Sequence, residues 1–554
     1  MDADRLESFH KLFAKRMSRR NALRAGGGVV AASAAAAMTT LPAAAQDAPV
    51  EAYASWKQPQ GGTPETDFDA AIAQLDGVVA DIHARSGVPG IAVGVVHQDQ
   101  VVYLKGFGTR EIGTDQPVDA DTIFLLASCS KPLGSTVVAG LVGDGHLAWR
   151  TPISHLTPEF EMSEPWVSRE ITVLDMYCHR GGWPEHAGDL LEDNGYNREQ
   201  VLHRMRYQQP YSSFRSLYNY TNFGMTAGGV AAATAAGSTW EDISQTRLYD
   251  RLGMTRTSSR FSDYINSDNR AHGHWEKNGP WELSPQRDPE AQSPAGGASS
   301  SARDMAEWMR LQLAGGMFNG EQVVDSAALA ETHRPQIMRN ATGTPESDRD
   351  GFYGLGWNVG YDDHGRTRLG HSGAFLLGAA TAVYMIPAEQ FGIVVLTNGW
   401  PLGVPEAISL SFQDLVLTGT IQADYFAILE EIFRGLLVPA YASDVDLSEP
   451  PADAHPPLGA EAYTGVFLND LNGPIEVADE GGLVLKIGPE PKVFELMHYD
   501  RDVFAFMPTG ENGYTLSAVT FTVGDDGIAT KVTIRYFDVF GQGTFWREME
   551  EPAE

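Results

Sequence analysis

The chain of 554 residues is 43% hydrophobic and 20% charged, which is enough apolar sequence to fill large cores and excludes a disordered, collagen-like or small disulfide-rich protein. Its 40 basic and 72 acidic side chains give a formal net charge of −32, which would repel nucleic-acid phosphates and anionic membrane surfaces. The only cysteines, Cys129 and Cys178, are too few for a four-cysteine zinc site and allow at most one disulfide.

The first 45 residues differ in composition from the rest of the chain. Basic residues come first, a Gly/Ala-rich apolar stretch follows from Ala25 to Leu41, and three alanines end at Ala45. This order is typical of an export signal, and Ser18-Arg19-Arg20 resembles a twin-arginine signal, with Met17 as an alternative start. We therefore predict that residues 1–45 are an export signal and that the protein reaches the periplasm. A basic disordered arm is the alternative, and no later stretch is apolar enough to predict a membrane span.

The spacing of apolar residues predicts the first elements after this segment. A helix is expected over residues 68–82, followed by a β-hairpin with strands at residues 91–96 and 101–104. Late in the chain, residues 379–385 and 391–396 have the pattern of two more strands. We expect one antiparallel sheet that combines the first and the last of these strands.

Helical patterns occupy the middle of the chain, and the pattern changes again near the end. Residues 136–147 and 302–313 predict helices of a helical subdomain, and residues 405–417 predict a helix behind the late strands. Residues 448–457 are rich in proline and indicate a domain boundary, after which short alternating segments from 463 to 546 predict an antiparallel β-barrel or sandwich. The predicted organisation is an α+β domain at residues 67–420, a helical and proline-rich linker at 421–457, and a C-terminal, lipocalin-like β-barrel at 458–554.

A serine and a lysine at helical spacing are the first candidates for chemistry. An apolar run ends in Ser128, and Lys131 follows three residues later. If a helix begins here, the two side chains lie one turn apart on the same face. Pro132 fits this placement because proline is tolerated in the first helical turn. The S-x-x-K pattern alone is common, and a surface helix with a hydrogen-bonded serine is the alternative.

Two further motifs follow in a fixed order along the chain. Tyr220-Thr221-Asn222 lies in the middle, and His371-Ser372-Gly373 directly precedes the late strands. Together S-x-x-K, Y-x-N and H-x-G resemble the serine β-lactamase and penicillin-binding protein superfamily over residues 67–417. The resemblance is to its class C-like branch, which includes D-aminopeptidases, DD-carboxypeptidases and family VIII carboxylesterases.

The resemblance implies both a fold and a reaction. The fold is a β-lactamase/transpeptidase-like antiparallel sheet flanked by helices, with a helical subdomain. The reaction proceeds through an acyl-enzyme on Ser128, with no cofactor and no metal. The backbone N–H groups of Ser128 and Ala374 would form the oxyanion hole.

The physical chemistry of the side chains supports these roles. A serine hydroxyl is a weak nucleophile near neutral pH, so Ser128 needs a neighbour that accepts its proton. Lys131 and Tyr220 are both candidates, because desolvation would lower the pKa of the lysine, and a nearby cation that of the tyrosine, from about 10. Asn222 would hold Lys131 and a substrate amide by hydrogen bonds, and Gly373 would let substrate approach the strand closely.

His371 departs from the lysine that the penicillin-binding proteins and most β-lactamases carry at this position. A histidine is neutral for much of the time at pH 7, so it offers a substrate carboxylate less positive charge. This favours the peptidase and esterase branches over a β-lactamase.

Other nucleophiles are possible in the same region. Residues 370–374 nearly match the G-x-S-x-G elbow of α/β-hydrolases, with Ser372 as nucleophile, but strands follow where a helix is required. Cys129 could act as a thiol nucleophile with His179, although neither flank matches a cysteine protease. We expect Cys129 to be a buried small residue, with a disulfide to Cys178 as an alternative.

Three nearby carboxylates do not have the spacing of a calcium loop, and we interpret them as part of a solvated loop. They are Asp189, Glu192 and Asp193.

The sequence thus predicts an exported serine hydrolase. The preferred substrate is a short or D-residue-containing peptide, including linearised cyclic peptides, because the appended β-rich domain resembles the arrangement in D-aminopeptidase-like members. A carboxylic ester is the second candidate and a β-lactam a weaker one. A peptide- or glycan-binding pseudoenzyme is the non-enzymatic alternative. No nucleic-acid partner is expected, and the oligomeric state is left open.

Overall fold

A computed structural model describes residues 67–276, 279–340, 350–362, 364–436, 439–443 and 445–548. The predicted export signal at residues 1–45 lies outside these residues. Within them, no helix combines the length and the apolar character that crossing a bilayer requires.

An eight-stranded antiparallel sheet forms the centre of the first part of the chain, with the strand order β2-β1-β8-β7-β6-β5-β4-β3. The first hairpin lies beside the last strand, since Ile91 of β1 pairs with Thr397 of β8. The expectation that one sheet combines early and late strands is confirmed. Its strands are β1 (Gly90–His97), β2 (Gln100–Gly108), β3 (Ile337–Asn340), β4 (Gly351–Tyr353), β5 (Asn358–Tyr361), β6 (Thr367–Phe375), β7 (Ala379–Ile386) and β8 (Phe391–Thr397).

Helices cover both faces of this sheet. The six helices of twelve or more residues in the described part of the chain are α1 (Phe68–Ser86), α2 (Ser130–Gly143), α3 (Asn222–Ala235), α4 (Ala302–Leu313), α5 (Val404–Thr418) and α6 (Tyr425–Leu436). Shorter α-helices are Pro165–Glu170, Val173–Tyr177, Asp189–Asp193, Arg198–Arg204, Trp240–Ser244, Asp250–Leu252, Phe261–Ile265, Ser293–Gly296 and Ser326–Thr332. Two-residue strands pair Phe124–Leu125 with Ser299–Ser300, His274–Trp275 with Glu282–Leu283, and Met317–Phe318 with Glu321–Gln322.

Two apolar cores lie on opposite faces of the sheet. One core packs helices α1, α5 and α6 against the sheet, and the other contains α2, α3, α4 and most of the helical region between β2 and β3. Helix α2 begins at Ser130 and ends at Gly143, earlier than the predicted range of 136–147. The chain leaves the helix there because Gly145 adopts a left-handed backbone with a φ of +81°.

A second antiparallel sheet of nine strands forms the C-terminal barrel, with the order β12-β11-β10-β9-β17-β16-β15-β14-β13. Its end strands, β12 and β13, are consecutive along the chain with only Leu496 between them, so the barrel is nearly closed. Its strands are β9 (Gly465–Leu468), β10 (Ile475–Asp479), β11 (Leu483–Ile487), β12 (Lys492–Glu495), β13 (Met497–Asp500), β14 (Val503–Phe506), β15 (Ser517–Val523), β16 (Ala529–Ile534) and β17 (Thr544–Arg547).

The acidic segment at residues 189–193 joins the barrel to the first part of the chain. Its interpretation as a solvated loop is wrong, because the segment forms a short helix whose three carboxylates are buried. The carboxylate of Asp193 accepts hydrogen bonds from the backbone N–H groups of Glu511 (3.0 Å) and Asn512 (2.8 Å) in a barrel loop. These donors are more than 300 residues away along the chain, so local spacing could not indicate them.

The same barrel loop contacts the turn that follows β6. The carboxylate of Glu511 accepts hydrogen bonds from the backbone N–H groups of Leu376 and Leu377. The guanidinium of Arg287 lies 3.9 Å from this carboxylate and forms an ion pair with Glu192. A buried group of charges therefore links the barrel to the β6–β7 turn.

Asp175 is a fully buried carboxylate whose replacement tests the packing of the helical region. Burial raises its pKa, but hydrogen bonds from Arg215, Thr172 and Arg180 outweigh this effect and hold the pKa below its ordinary value. We expect Asp175→Asn to lower the free energy of unfolding by about 3–5 kcal/mol at pH 7, measured by urea denaturation. The exposed ion pair between Asp121 and Arg303 provides a control. Asp121→Asn should lower the free energy of unfolding by at most about 1 kcal/mol.

The stabilisation by Asp175 should also depend on pH. A carboxylate with a lowered folded-state pKa stabilises the fold above its unfolded-state pKa, and this contribution disappears as the pH falls through the folded-state pKa. The difference between wild type and Asp175→Asn should therefore shrink below about pH 4. Equal urea midpoints at pH 7 would show that the ion pairs do not stabilise this region.

Candidate active site

The local backbone presents Ser128 at the start of helix α2. Ala127 has a left-handed φ of +46°, and residues Ala127–Cys129 form a single 3₁₀ turn before the helix begins. Lys131 and Pro132 lie in the first turn of α2, as predicted from the proline. The turn brings the Lys131 amine to 3.0 Å from Ser128 Oγ.

Three side chains meet at this point. The hydroxyl of Tyr220 lies 2.5 Å from Ser128 Oγ, and the amine of Lys131 lies 4.5 Å from the centroid of the Tyr220 ring. Tyr220 precedes helix α3 by two residues, so two helix starts supply the three groups. The structure thus brings Ser128, Lys131 and Tyr220 together, and Ser128 and Tyr220 line an open cleft.

The Lys131 amine is completely buried among oxygen atoms. It contacts Asn222 Oδ1 at 2.7 Å and the carbonyl oxygen of Ala295 at 3.0 Å, in addition to Ser128. Burial lowers the pKa of Lys131 to about 7, and the negative charge of Asp189 opposes part of this shift. A large fraction of the amine is therefore neutral at neutral pH and able to accept a proton.

Burial shifts the pKa of Tyr220 in the direction opposite to that of Lys131. Tyr220 is partly buried, and desolvation of its phenol raises the pKa well above 10, although the hydrogen bond with Ser128 opposes this effect. The phenol therefore stays protonated near neutral pH. Of the two candidate bases, Lys131 is the one whose pKa moves towards neutrality.

Asn222 is fixed by contacts on both ends of its amide. Its Oδ1 accepts from Lys131, and its Nδ2 donates to Asp189 Oδ2 at 2.9 Å. His186 Nδ1 lies 2.8 Å from the same carboxylate oxygen. The predicted contact with Lys131 is present, and one of the two hydrogens of the amide nitrogen is donated to Asp189.

His371 is held as a neutral imidazole. Its Nδ1 lies 2.8 Å from the carbonyl oxygen of Ser372, so Nδ1 carries the hydrogen, and its Nε2 accepts from the Tyr353 hydroxyl at 2.9 Å. Burial lowers the pKa of His371 to about 3, with a further contribution from the charge of Lys131. The side chain therefore offers no positive charge to a substrate. The H-x-G motif alone could not indicate that Tyr353 is the hydrogen-bond partner of His371.

Strand β6 passes close to Ser128 and has a free edge beside it. A Cβ atom at Gly373 would lie 2.8 Å from the backbone nitrogen of Ser128 and 2.3 Å from the carbonyl oxygen of Leu126, so only glycine fits there. In the described sheet, β5 pairs with β6 only as far as Gly370. No described strand pairs with the edge from His371 to Phe375, which is here called the open edge, and Ala374 lines the cleft beside it.

The alternative nucleophiles have unsuitable surroundings. Ser372 lies in the middle of β6, with strand residues on both sides, so it does not form the strand-to-helix elbow of an α/β-hydrolase. Cys129 and Cys178 are both free and buried, and desolvation raises the pKa of each thiol to about 12. The two cysteines therefore form no disulfide in the structure. The Cys129 thiol is unsuited to act as a nucleophile, because it is buried and stays protonated near neutral pH.

The cleft above Ser128 has a volume of about 610 Å³. Its walls come from the sheet, from the helical region around Asp189, and from the C-terminal barrel, including Asn512 and Tyr536. Among the described residues, no group of three His, Cys, Asp or Glu side chains is arranged to hold a metal ion.

Comparison with known proteins places the chain in a family and identifies related folds. The chain matches the Beta-lactamase family over residues 68–416 and a domain of unknown function, DUF3471, over residues 449–547. It is 23% identical to Unguisins hydrolase ungD of Aspergillus violaceofuscus, over 75% of this chain and 78% of that protein. It is also 23% identical to the D-alanyl-D-alanine-carboxypeptidase/endopeptidase AmpH of Escherichia coli, over 64% of this chain and 90% of AmpH.

A solved structure shares the fold across most of both chains. The octameric penicillin-binding protein homologue from Pyrococcus abyssi superposes with a TM-score of 0.56 and 19% identity, over 86% of this chain and 99% of that chain. Because the family match alone spans more than half of the 554 residues, the protein belongs to the Beta-lactamase family of serine hydrolases.

Proposed function

We propose that the protein is an exported peptidase that cleaves short or D-residue-containing peptides through an acyl-enzyme on Ser128. The observation that carries this proposal is the contact of the Ser128 hydroxyl with a buried amine at 3.0 Å and a phenol at 2.5 Å. The export to the periplasm rests on the resemblance of residues 1–45 to a twin-arginine signal.

The groups around Ser128 can perform each step of acyl transfer. The neutral Lys131 amine accepts the proton of Ser128 as Oγ bonds to the carbonyl carbon of the substrate. The backbone N–H groups of Ser128 and Ala374 stabilise the negative oxygen that develops. As the scissile bond breaks, the proton passes from Lys131 through the Tyr220 hydroxyl to the leaving amine. Water then hydrolyses the acyl-enzyme by the same proton transfers.

Two features support a peptide as the substrate. The open edge of β6 beside Ser128 offers backbone donors and acceptors to an extended chain, which is a common mode of peptide recognition. Two relatives are described as a hydrolase of unguisins and as a D-alanyl-D-alanine carboxypeptidase/endopeptidase. A carboxylic ester is the second candidate, because the neutral, hydrogen-bonded His371 offers no fixed charge to the carboxylate of a β-lactam or cell-wall peptide.

The identity of the nucleophile can be tested with a fluorophosphonate serine probe. We expect Ser128→Ala to lose labelling and to reduce ester turnover by at least about 1,000-fold, because Ser128 is the only serine among the described residues whose hydroxyl is hydrogen-bonded to Lys131. The matched control is Ser372→Ala, which should still be labelled. Absence of labelling in folded wild type would support the pseudoenzyme alternative.

The substrate class can be tested by comparing kcat/KM across L-peptides, D-peptides, simple esters and β-lactams. We expect D-residue-containing peptides to have the highest values, since one relative is described as a D-alanyl-D-alanine carboxypeptidase/endopeptidase. Turnover of esters with every peptide untouched would contradict the proposed peptidase and favour the esterase.

The role of Lys131 predicts the pH dependence of the reaction. Because burial lowers the pKa of Lys131 to about 7 and only the neutral amine is a base, kcat/KM for an activated ester should rise about tenfold per pH unit below 7 and level off above about 8. The variant Lys131→Arg stays charged and should lose this activity at every pH. A midpoint of the pH profile of kcat/KM near 10 would indicate an ordinary lysine pKa and would contradict the role of Lys131 as the base.

A further inference from the structure

Strand β6 presents different side chains to its two faces. Side chains alternate along a strand, so His371 and Gly373 face Ser128, whereas Gly370 and Ser372 face the opposite side. Two close approaches confirm this: a Cβ atom at Gly373 would meet the Ser128 backbone, and one at Gly370 would lie 2.6 Å from the Tyr384 ring. The face of β6 turned away from Ser128 is here called the rear face.

The cleft above Ser128 continues around the open edge of β6 onto its rear face. There its wall consists of side chains from β7, α5 and α6, and this part of the cleft is here called the rear chamber. Its lining residues are Tyr384, Glu406, Leu410, Leu429 and Phe433. The wall is thus largely apolar and aromatic with one carboxylate, and Arg368 and Ser372 of β6 also line the cleft on this face.

Among the residues that the structure describes, no cationic side chain forms an ion pair with that carboxylate, Glu406. It lies in the first turn of α5 and is 6% exposed, and its Oε2 has no hydrogen-bond partner among the described residues. Its hydrogen bond with Ser372 leaves Oε2 unpaired, and burial raises the pKa of Glu406 to about 7. The guanidinium of Arg368, which also lines the cleft, instead donates to Gln413 Oε1 at 2.6 and 3.2 Å.

We propose that the rear chamber binds a primary ammonium group of the substrate, with Glu406 as its counter-ion. The proposal rests on the peptidase function, because an extended peptide along the open edge of β6 points alternate side chains to the two faces of the strand. The residue next to the one attacked by Ser128 therefore directs its side chain into the rear chamber. A lysine-like side chain fits, since its methylene groups contact the apolar wall and the aromatic rings of Tyr384 and Phe433 favour a cation.

The first test compares peptides that differ only at the residue next to the scissile one. Wild type should cleave the lysine peptide with a kcat/KM at least about tenfold above that of the norleucine peptide, which has a similar length and no charge. In Glu406→Gln this ratio should fall close to one. The matched control is Asp414→Asn, because Asp414 lies on the same helix but binds Tyr425 and Gln422 away from the chamber, and it should keep the preference.

The second test requires neither a peptide substrate nor a variant. Pentylammonium should inhibit the turnover of a small acetate ester by wild type at least about tenfold more strongly than 1-pentanol does. Suppose that esters are turned over, that pentylammonium is the stronger inhibitor, and that no peptide is cleaved. The peptidase proposal is then wrong, whereas the ammonium site in the rear chamber is supported. If peptides are cleaved without a preference for lysine and the two compounds inhibit equally strongly, the ammonium site is contradicted and the peptidase activity is supported.

Discussion

The burial of one amine is the constraint on which the site depends. Lys131 has no contact with solvent, and its three near neighbours are oxygen atoms of Ser128, Asn222 and Ala295. Desolvation lowers the pKa of the amine enough to make it a base near neutral pH, whereas the same desolvation keeps the Tyr220 phenol protonated. One physical effect therefore shifts the pKa values of two groups that are similar in water in opposite directions, and the proposed mechanism gives them different roles for this reason.

The surroundings of the amine are maintained by contacts between distant parts of the chain. Asp189 holds the Asn222 amide from one side, and Glu511 of the barrel holds the turn after β6 from the other. The barrel thus forms part of the wall of the cleft and also contacts the turn that follows the strand passing Ser128. The side chains of the S-x-x-K, Y-x-N and H-x-G motifs lie at the centre of the site. Residues outside these motifs, such as Asp189 and Tyr353, hold them in place by hydrogen bonds.

The sequence predicted the parts of the site that have local signals. Spacing along one helix turn indicated Ser128 and Lys131, and the proline that follows indicated where the helix begins. The hairpin, the late strands and the barrel followed from the periodicity of apolar residues. The partners of these groups could not be predicted, because Tyr353, Asp189 and Glu511 contact residues that lie 18, 33 and 135 positions away along the chain. The acidic segment at 189–193 was misinterpreted for the same reason: its hydrogen-bond donors lie far away along the chain.

The most direct test of the central claim is a titration of the Lys131 amine itself. The chain contains nine lysines, so ¹³Cε-labelled lysine gives few NMR signals, and the variant Lys131→Gln identifies the one that belongs to this residue. A buried neutral base predicts a chemical-shift change with a midpoint near pH 7. A signal that stays at the position of the charged amine up to pH 10 would contradict the role assigned to Lys131.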